Sequence, residues 1–171
     1  MAMSAVQISN LLYRYAECLD SGRLVEAAEL FRHARIKVQS HDSLDHIALL
    51  GIWQQRIKLY PCGTPRTRHI ISNLIIDIDE TANTATVRSC YTVLQATDTL
   101  PLQPIAAGRY LDEFERVDGV WRFSFRDYSH LDMVGGLDRA PVDVSAKPKR
   151  ACLHSRKQVR AQVCGVYSPW A

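Results

Sequence analysis

No two cysteines in this sequence are closer than 12 residues, which excludes the CxxC pairs of zinc and dithiol sites. Cys18, Cys62, Cys90, Cys152 and Cys164 are also odd in number, so no disulfide framework is suggested and all five are read as reduced thiols. No apolar run reaches the roughly 18 residues of a membrane-spanning helix. The first residues lack the basic, apolar and small-residue regions of a signal peptide, so a cytoplasmic location without membrane attachment is expected. A GxSxG elbow, a Gly-rich phosphate loop and a paired catalytic carboxylate motif are missing as well. No cofactor is expected.

What remains is the composition of a globular domain, 47% apolar and 23% charged over 171 residues, well away from disordered or collagenous chains. The net charge of +3 conceals an asymmetry. Residues 1–138 carry 14 Lys/Arg against 17 Asp/Glu, whereas residues 139–171 carry 7 against 1. The basic balance therefore belongs to the C-terminal segment, read as a flexible tail following one domain over 1–138. With no interleaved aromatics before Tyr167, the tail does not read as a nucleic-acid binder. His41 and His46, with Asp42 and Asp45 between them, lack a further ligand that would close a metal site; no metal is expected.

Ser4 and Gln7 fit a capping box, and Ile8, Leu11, Leu12, Tyr15 and Leu19 recur at three- and four-residue spacing, predicting a helix over about 4–18. Asp20-Ser21-Gly22 interrupts it, and Leu24, Ala27, Ala28 and Phe31 predict a second, short helix. Asp20 thus falls at a helix–helix junction. Ala34, Ile36 and Val38 alternate with charged residues as a strand, and a third helix capped by Asp42 or Ser43 is expected to run to Pro61. Four extended segments follow, 67–79, 84–97, 105–117 and 120–134, rich in Ile, Val, Thr, Tyr and Phe. Turn chemistry at 79–83 and 117–119 makes hairpins, and the two prolines between 97 and 104 a looser connection. Helices first and strands afterwards predict an α+β fold with an antiparallel sheet; a parallel Rossmann sheet would need crossover helices that are not found.

Three segments in this order, LLYRYAECLDSGRLVEAAELF, TPRTRHIISNLIIDID and GRYLDEFERVDGVWRFSFR, resemble the SnoaL-like branch of the nuclear transport factor 2-like superfamily. They span about residues 5–134. The resemblance implies a cone in which a curved antiparallel sheet wraps on three N-terminal helices around an apolar pocket. It also implies a range of functions, since dehydratases, cyclases, dehydrochlorinases, isomerases, epoxide hydrolases and plain binding modules share the fold. A homodimer through the open sheet face is expected from it, with the apolar parity opposite His69 as the surface.

In the dehydratase, cyclase and dehydrochlorinase branches an Asp ending the first helix and a His early in the first long strand form an acid–base pair, and Asp20 and His69 match those positions. Imidazole is the side chain suited to proton transfer near neutral pH, and a carboxylate on its second nitrogen fixes the tautomer. The alternation around His69 leaves its direction open: Ile71, Asn73 and Ile75 share its parity, and Ile70, Leu74 and Ile76 occupy the other. The bland alternatives are a hydrogen-bonded strand histidine and a helix-capping aspartate.

Tyr15, Trp53, Asn73 and Arg126 are candidates to line the pocket and contact a ligand, against core packing for the aromatics, a sheet-internal hydrogen bond for Asn73 and surface ion pairs for Arg109 and Arg126. His130 is a further candidate. The function expected from these residues is that of a cofactor-independent lyase or isomerase for a small apolar, cyclic or polyketide-like molecule. The alternatives are a non-catalytic ligand-binding or assembly module, and hydrolysis with Asp20 activating water and Asp112 or Asp127 as a second carboxylate.

Overall fold

The computed structural model describes residues 2–39 and 41–135. The basic segment 139–171, with its expected flexibility, lies outside them, as do Cys152 and Cys164. Helix α1 (Ala2–Asp20) begins ahead of the capping box, so that Ser4 is buried within the first turn rather than capping it. Its apolar stripe of Ile8, Leu12, Tyr15 and Leu19 is buried, as the 3.6-residue period requires. The helix stops in a Schellman turn, with the Arg23 N–H donating to the Cys18 carbonyl at 2.8 Å and the Gly22 N–H to Leu19 at 3.0 Å. That motif needs a left-handed residue after the helix, and Gly22 supplies it with φ of 73°.

Helix α2 (Leu24–Glu29) follows, then strands β1 (Arg35–Val38) and β2 (His41–Leu44) and helix α3 (His46–Arg56). The expected third helix is shorter than the sequence suggested, and its cap is Asp45, whose side chain accepts from the Ala48 N–H at 2.8 Å. Residues 41–44, read as the helix entry, instead form a strand paired antiparallel to β1.

The long strands are β3 (Thr67–Asp79), β4 (Thr84–Gln95), β5 (Gln103–Val117) and β6 (Val120–Asp127). The run 120–134 is not one strand: it breaks after Asp127, whose carboxylate accepts the Ser129 N–H at 2.7 Å, and resumes as β7 (Leu131–Val134) beside the first half of β5. One seven-stranded sheet results, in the order β2-β1-β6-β5-β4-β3 with β7 on β5. It is antiparallel except for the β1–β6 pair, which is parallel.

Register shifts bend the sheet, among them those in β3, at the β4–β5 pairing and in β6, and extra residues of this kind increase local twist and curvature. Its concave face closes on the helices. The core between them holds Phe31, Leu49, Trp53, Ile105, Phe114 and Phe123, all at or near zero exposure.

Candidate active site

Edge position decides what β3 can offer. It ends the sheet with β4 on one side only, so part of its backbone N–H groups face away from any strand, and unpaired edge groups need another partner. Asp20, the last residue of α1, is that partner. Its Oδ2 accepts the backbone N–H of His69 at 2.8 Å, while its Oδ1 lies 2.7 Å from His69 Nδ1 and accepts the Thr67 hydroxyl at 2.9 Å. The two side chains are 8% and 13% exposed, largely but not wholly withdrawn from solvent. A carboxylate at this distance accepts a hydrogen bond from Nδ1–H, which favours the tautomer whose lone pair lies on Nε2.

The turn after the helix end that carries Asp20 also meets the loop before β3. A side chain at Gly22 would collide with the Gly63 carbonyl, so the two turns are in backbone contact. The same loop enters β3 through Arg66, a non-glycine residue at φ of 54°, whose carbonyl accepts from Ala96 N–H at 3.3 Å.

Parity around His69, ambiguous in the sequence, is resolved by a bulge. Ser72 pairs with Cys90 and Ile75 with Arg88, three steps along β3 against two along β4, and an extra residue reverses which side chains face inward. Thr67, His69 and Ile71 are inward before it; Leu74, Ile76 and Ile78 are inward after it. Asn73 occupies the bulge at φ of 54°, a conformation Asn tolerates better than other non-glycine residues. Its side chain is exposed. The expectation that Asn73 shares the face of His69 is thereby corrected, and it lines no interior surface.

Tyr15, Trp53 and Arg126 do come together. Tyr15 is 1% exposed and its ring lies 6.4 Å from that of His69, 6.2 Å from Trp53, 6.0 Å from Tyr110 and 6.4 Å from Tyr128. The Arg126 guanidinium lies 4.4 Å over the Tyr15 ring and 4.3 Å over that of Tyr110, within cation–π range. It is fully buried and forked onto Asp112, Nε to Oδ1 at 2.5 Å and Nη2 to Oδ2 at 2.8 Å. Burial opposes the Arg126 charge, but Asp112 together with the neighbouring Tyr128 and Tyr15 outweighs it and holds the guanidinium well above its ordinary value; burial in turn raises the Asp112 carboxyl.

Burial also pushes the hydroxyls of Tyr15, Tyr110 and Tyr128 well above the tyrosine range, so they stay neutral donors. The interior is therefore more polar than the purely apolar pocket expected. The indole Nε1 of Trp53 and the hydroxyl of Ser89 are buried with no hydrogen-bond partner among the described residues. Sequence reasoning passed over Tyr110, Tyr128 and Ser89; the alternation of Ser89 with Val87 and Tyr91 on β4 would have marked the serine as inward.

The other candidates lie apart. Arg109 is exposed and paired with Asp132 at 2.8 Å. His130, half-exposed, is 3.6 Å from Asp127, and burial of Asp127 is outweighed by the Ser129 hydrogen bonds and Lys37, which hold its carboxyl low. His46 Nε2 sits 3.7 Å from Glu29, and the side chains of His41 and Asp42 are outside what the structure describes. Cys18, Cys62 and Cys90 are free thiols.

A profile of the SnoaL-like domain matches residues 2–127. The chain belongs to the SnoaL-like domain family. Among solved structures, this SnoaL-like chain is similar to a Mycobacterium tuberculosis protein of unknown function, at 21% identity and a TM-score of 0.64, with 76% of this chain and 77% of the other covered. A candidate scytalone dehydratase from Novosphingobium aromaticivorans shares 22% identity at a TM-score of 0.57, covering 82% and 97% of the two chains. LinA shares 20% at 0.59, covering 82% and 96%. These likenesses carry the fold. No curated protein matches the chain in sequence. No helix among the described residues is long and apolar enough to cross a membrane.

Proposed function

We propose that this SnoaL-like protein is a cofactor-independent lyase or isomerase acting on a small, mostly apolar, cyclic or polyketide-like molecule. The observation that carries the reading is the 2.7 Å contact of Asp20 Oδ1 with His69 Nδ1, in a chain whose neighbours include a candidate scytalone dehydratase. His69 Nε2 takes a proton from a carbon acid, and Asp20 orients the ring and stabilises the imidazolium that forms. In an elimination the C–H electrons become the new double bond and the leaving group departs with its bonding pair. In an isomerisation His69 returns the proton at another carbon. Tyr15, Trp53 and Arg126 face the polar substituents, Tyr15 and Trp53 as neutral donors and Arg126 as a charge already balanced by Asp112.

Hydrolysis with Asp20 as the base is the poorer reading, because both of its oxygens are engaged. Non-catalytic ligand binding is the second reading, since the buried Trp53 Nε1 and Ser89 hydroxyl, without partners among the described residues, can hold a ligand with no proton transfer. The test is a panel of cyclic ketones and β-hydroxy ketones assayed with the native chain, Asp20→Asn and His69→Ala. Turnover that falls about 100-fold or more in both variants supports catalysis. Ligand binding retained by both variants, with no turnover by any, supports the binder. We further propose a homodimer through the outer sheet face, where Ile70 and Ile75 are 45% and 49% exposed.

A further inference from the structure

Asp20 is held by more than the imidazole it faces. The terminal torsion of an aspartate is broad, so a carboxylate fixed at one oxygen still swings the other. Here Oδ2 is fixed by the His69 backbone N–H at 2.8 Å, and Oδ1 is shared between the His69 ring and the Thr67 hydroxyl, at 2.7 and 2.9 Å. Thr67 and His69 are two apart on one strand, on the same inward face, so the strand's period of two aims both donors at one carboxylate.

The hydroxyl is placed independently of Asp20. Thr67 opens β3 in register with Gln95, the side chain of Gln95 donates to the Pro65 carbonyl at 3.3 Å, and the Arg66 carbonyl accepts from Ala96 N–H. Threonine's branched Cβ restricts χ1, which limits where the hydroxyl swings. The carboxylate plane is therefore set from the β3 backbone and the Thr67 side chain, with the imidazole as the third partner.

From this we infer that Thr67 is a positioning residue for the Asp20–His69 pair: its hydroxyl keeps Oδ1 turned to the imidazole, so that the proton stays on Nδ1 and Nε2 keeps its lone pair. The inference rests on the reading of His69 as the base. It assigns Thr67 no contact with substrate.

Nitrogen-15 NMR of the full chain labelled at histidine tests this, since the sequence has only six histidines and His69→Gln identifies the signal. In the native chain His69 is expected as one tautomer with a slowly exchanging proton on Nδ1. Thr67→Val keeps the branched shape and removes the donor; the Nδ1 proton then exchanges about tenfold faster and the other tautomer appears, as expected for loss of one hydrogen bond to a charged acceptor. Thr67→Ser restores the native pattern. Should the valine chain not fold, Thr67→Ala compared with Thr67→Ser reads the same quantity.

A Thr67→Val chain with native tautomer and native exchange overturns the inference, even if it melts lower, because the hydroxyl would then be a packing contact only. A native His69 with no proton on Nδ1 overturns both this inference and the dyad reading beneath it. Native Nδ1 protonation with an unaffected valine variant overturns this inference alone.

Discussion

Arg126 and Asp112 each carry a charge into the core with no exposed side-chain surface. Water cannot compensate either charge there, so removing one partner leaves the other stranded, at a cost of about 3–5 kcal/mol. Arg126→Leu and Asp112→Leu are each expected to lose stability of that order in urea denaturation. The double variant should lose clearly less than the two together, since no unpaired charge remains. Equal and additive losses would mean that the pair acts through packing alone. Arg126 was legible as a candidate because it lies among aromatic and small residues near the end of its strand. Its partner was not, because Asp112, Glu113 and Glu115 offer three carboxylates on one strand and only the inward parity selects the first.

The helix–turn–helix around Asp20 was readable at the level of elements. A polar Asp-Ser-Gly stop after a periodic stripe has few other outcomes, and the Schellman turn places the carboxylate at the helix end. The direction of His69 was not readable, because β3 is apolar on both sides of a hidden bulge and period two cannot report a change of parity within a strand. The bulge makes a prediction of its own. Asn73→Gly keeps the left-handed conformation and should change stability little, whereas Asn73→Val places a β-branched residue there at about 1–2 kcal/mol. Thermal melts of the two variants give the comparison; equal melts would mean that the bulge relocates freely. Residues 41–44 were misread for a related reason: His-Asp-Ser ahead of an apolar run has the composition of a helix cap, and the cap lies one turn later at Asp45.

At the scale of the whole molecule, the order of helices and strands together with three separated motifs specified the cone. Strand pairing inside it was less accessible, notably the parallel β1–β6 pair and the sharing of β5 between β6 and β7, which depend on contacts distant in sequence. The outer face carries the proposed dimer, and static light scattering should return about twice the 19.4 kDa chain mass. Ile70→Asp should shift it towards the monomer without unfolding the chain; a native chain of single mass at micromolar concentration would count against the dimer.

In the proposed reaction His69, oriented by Asp20, moves a proton to or from carbon without a cofactor. The most direct measurement is incubation of the chelator-treated protein with the cyclic ketone panel in D2O, followed by mass spectrometry. The expected result is deuterium uptake beside the carbonyl, or loss of the β-hydroxyl as water, with His69→Ala slower by about 100-fold or more. Rates identical for the native chain and His69→Ala on every compound would contradict it.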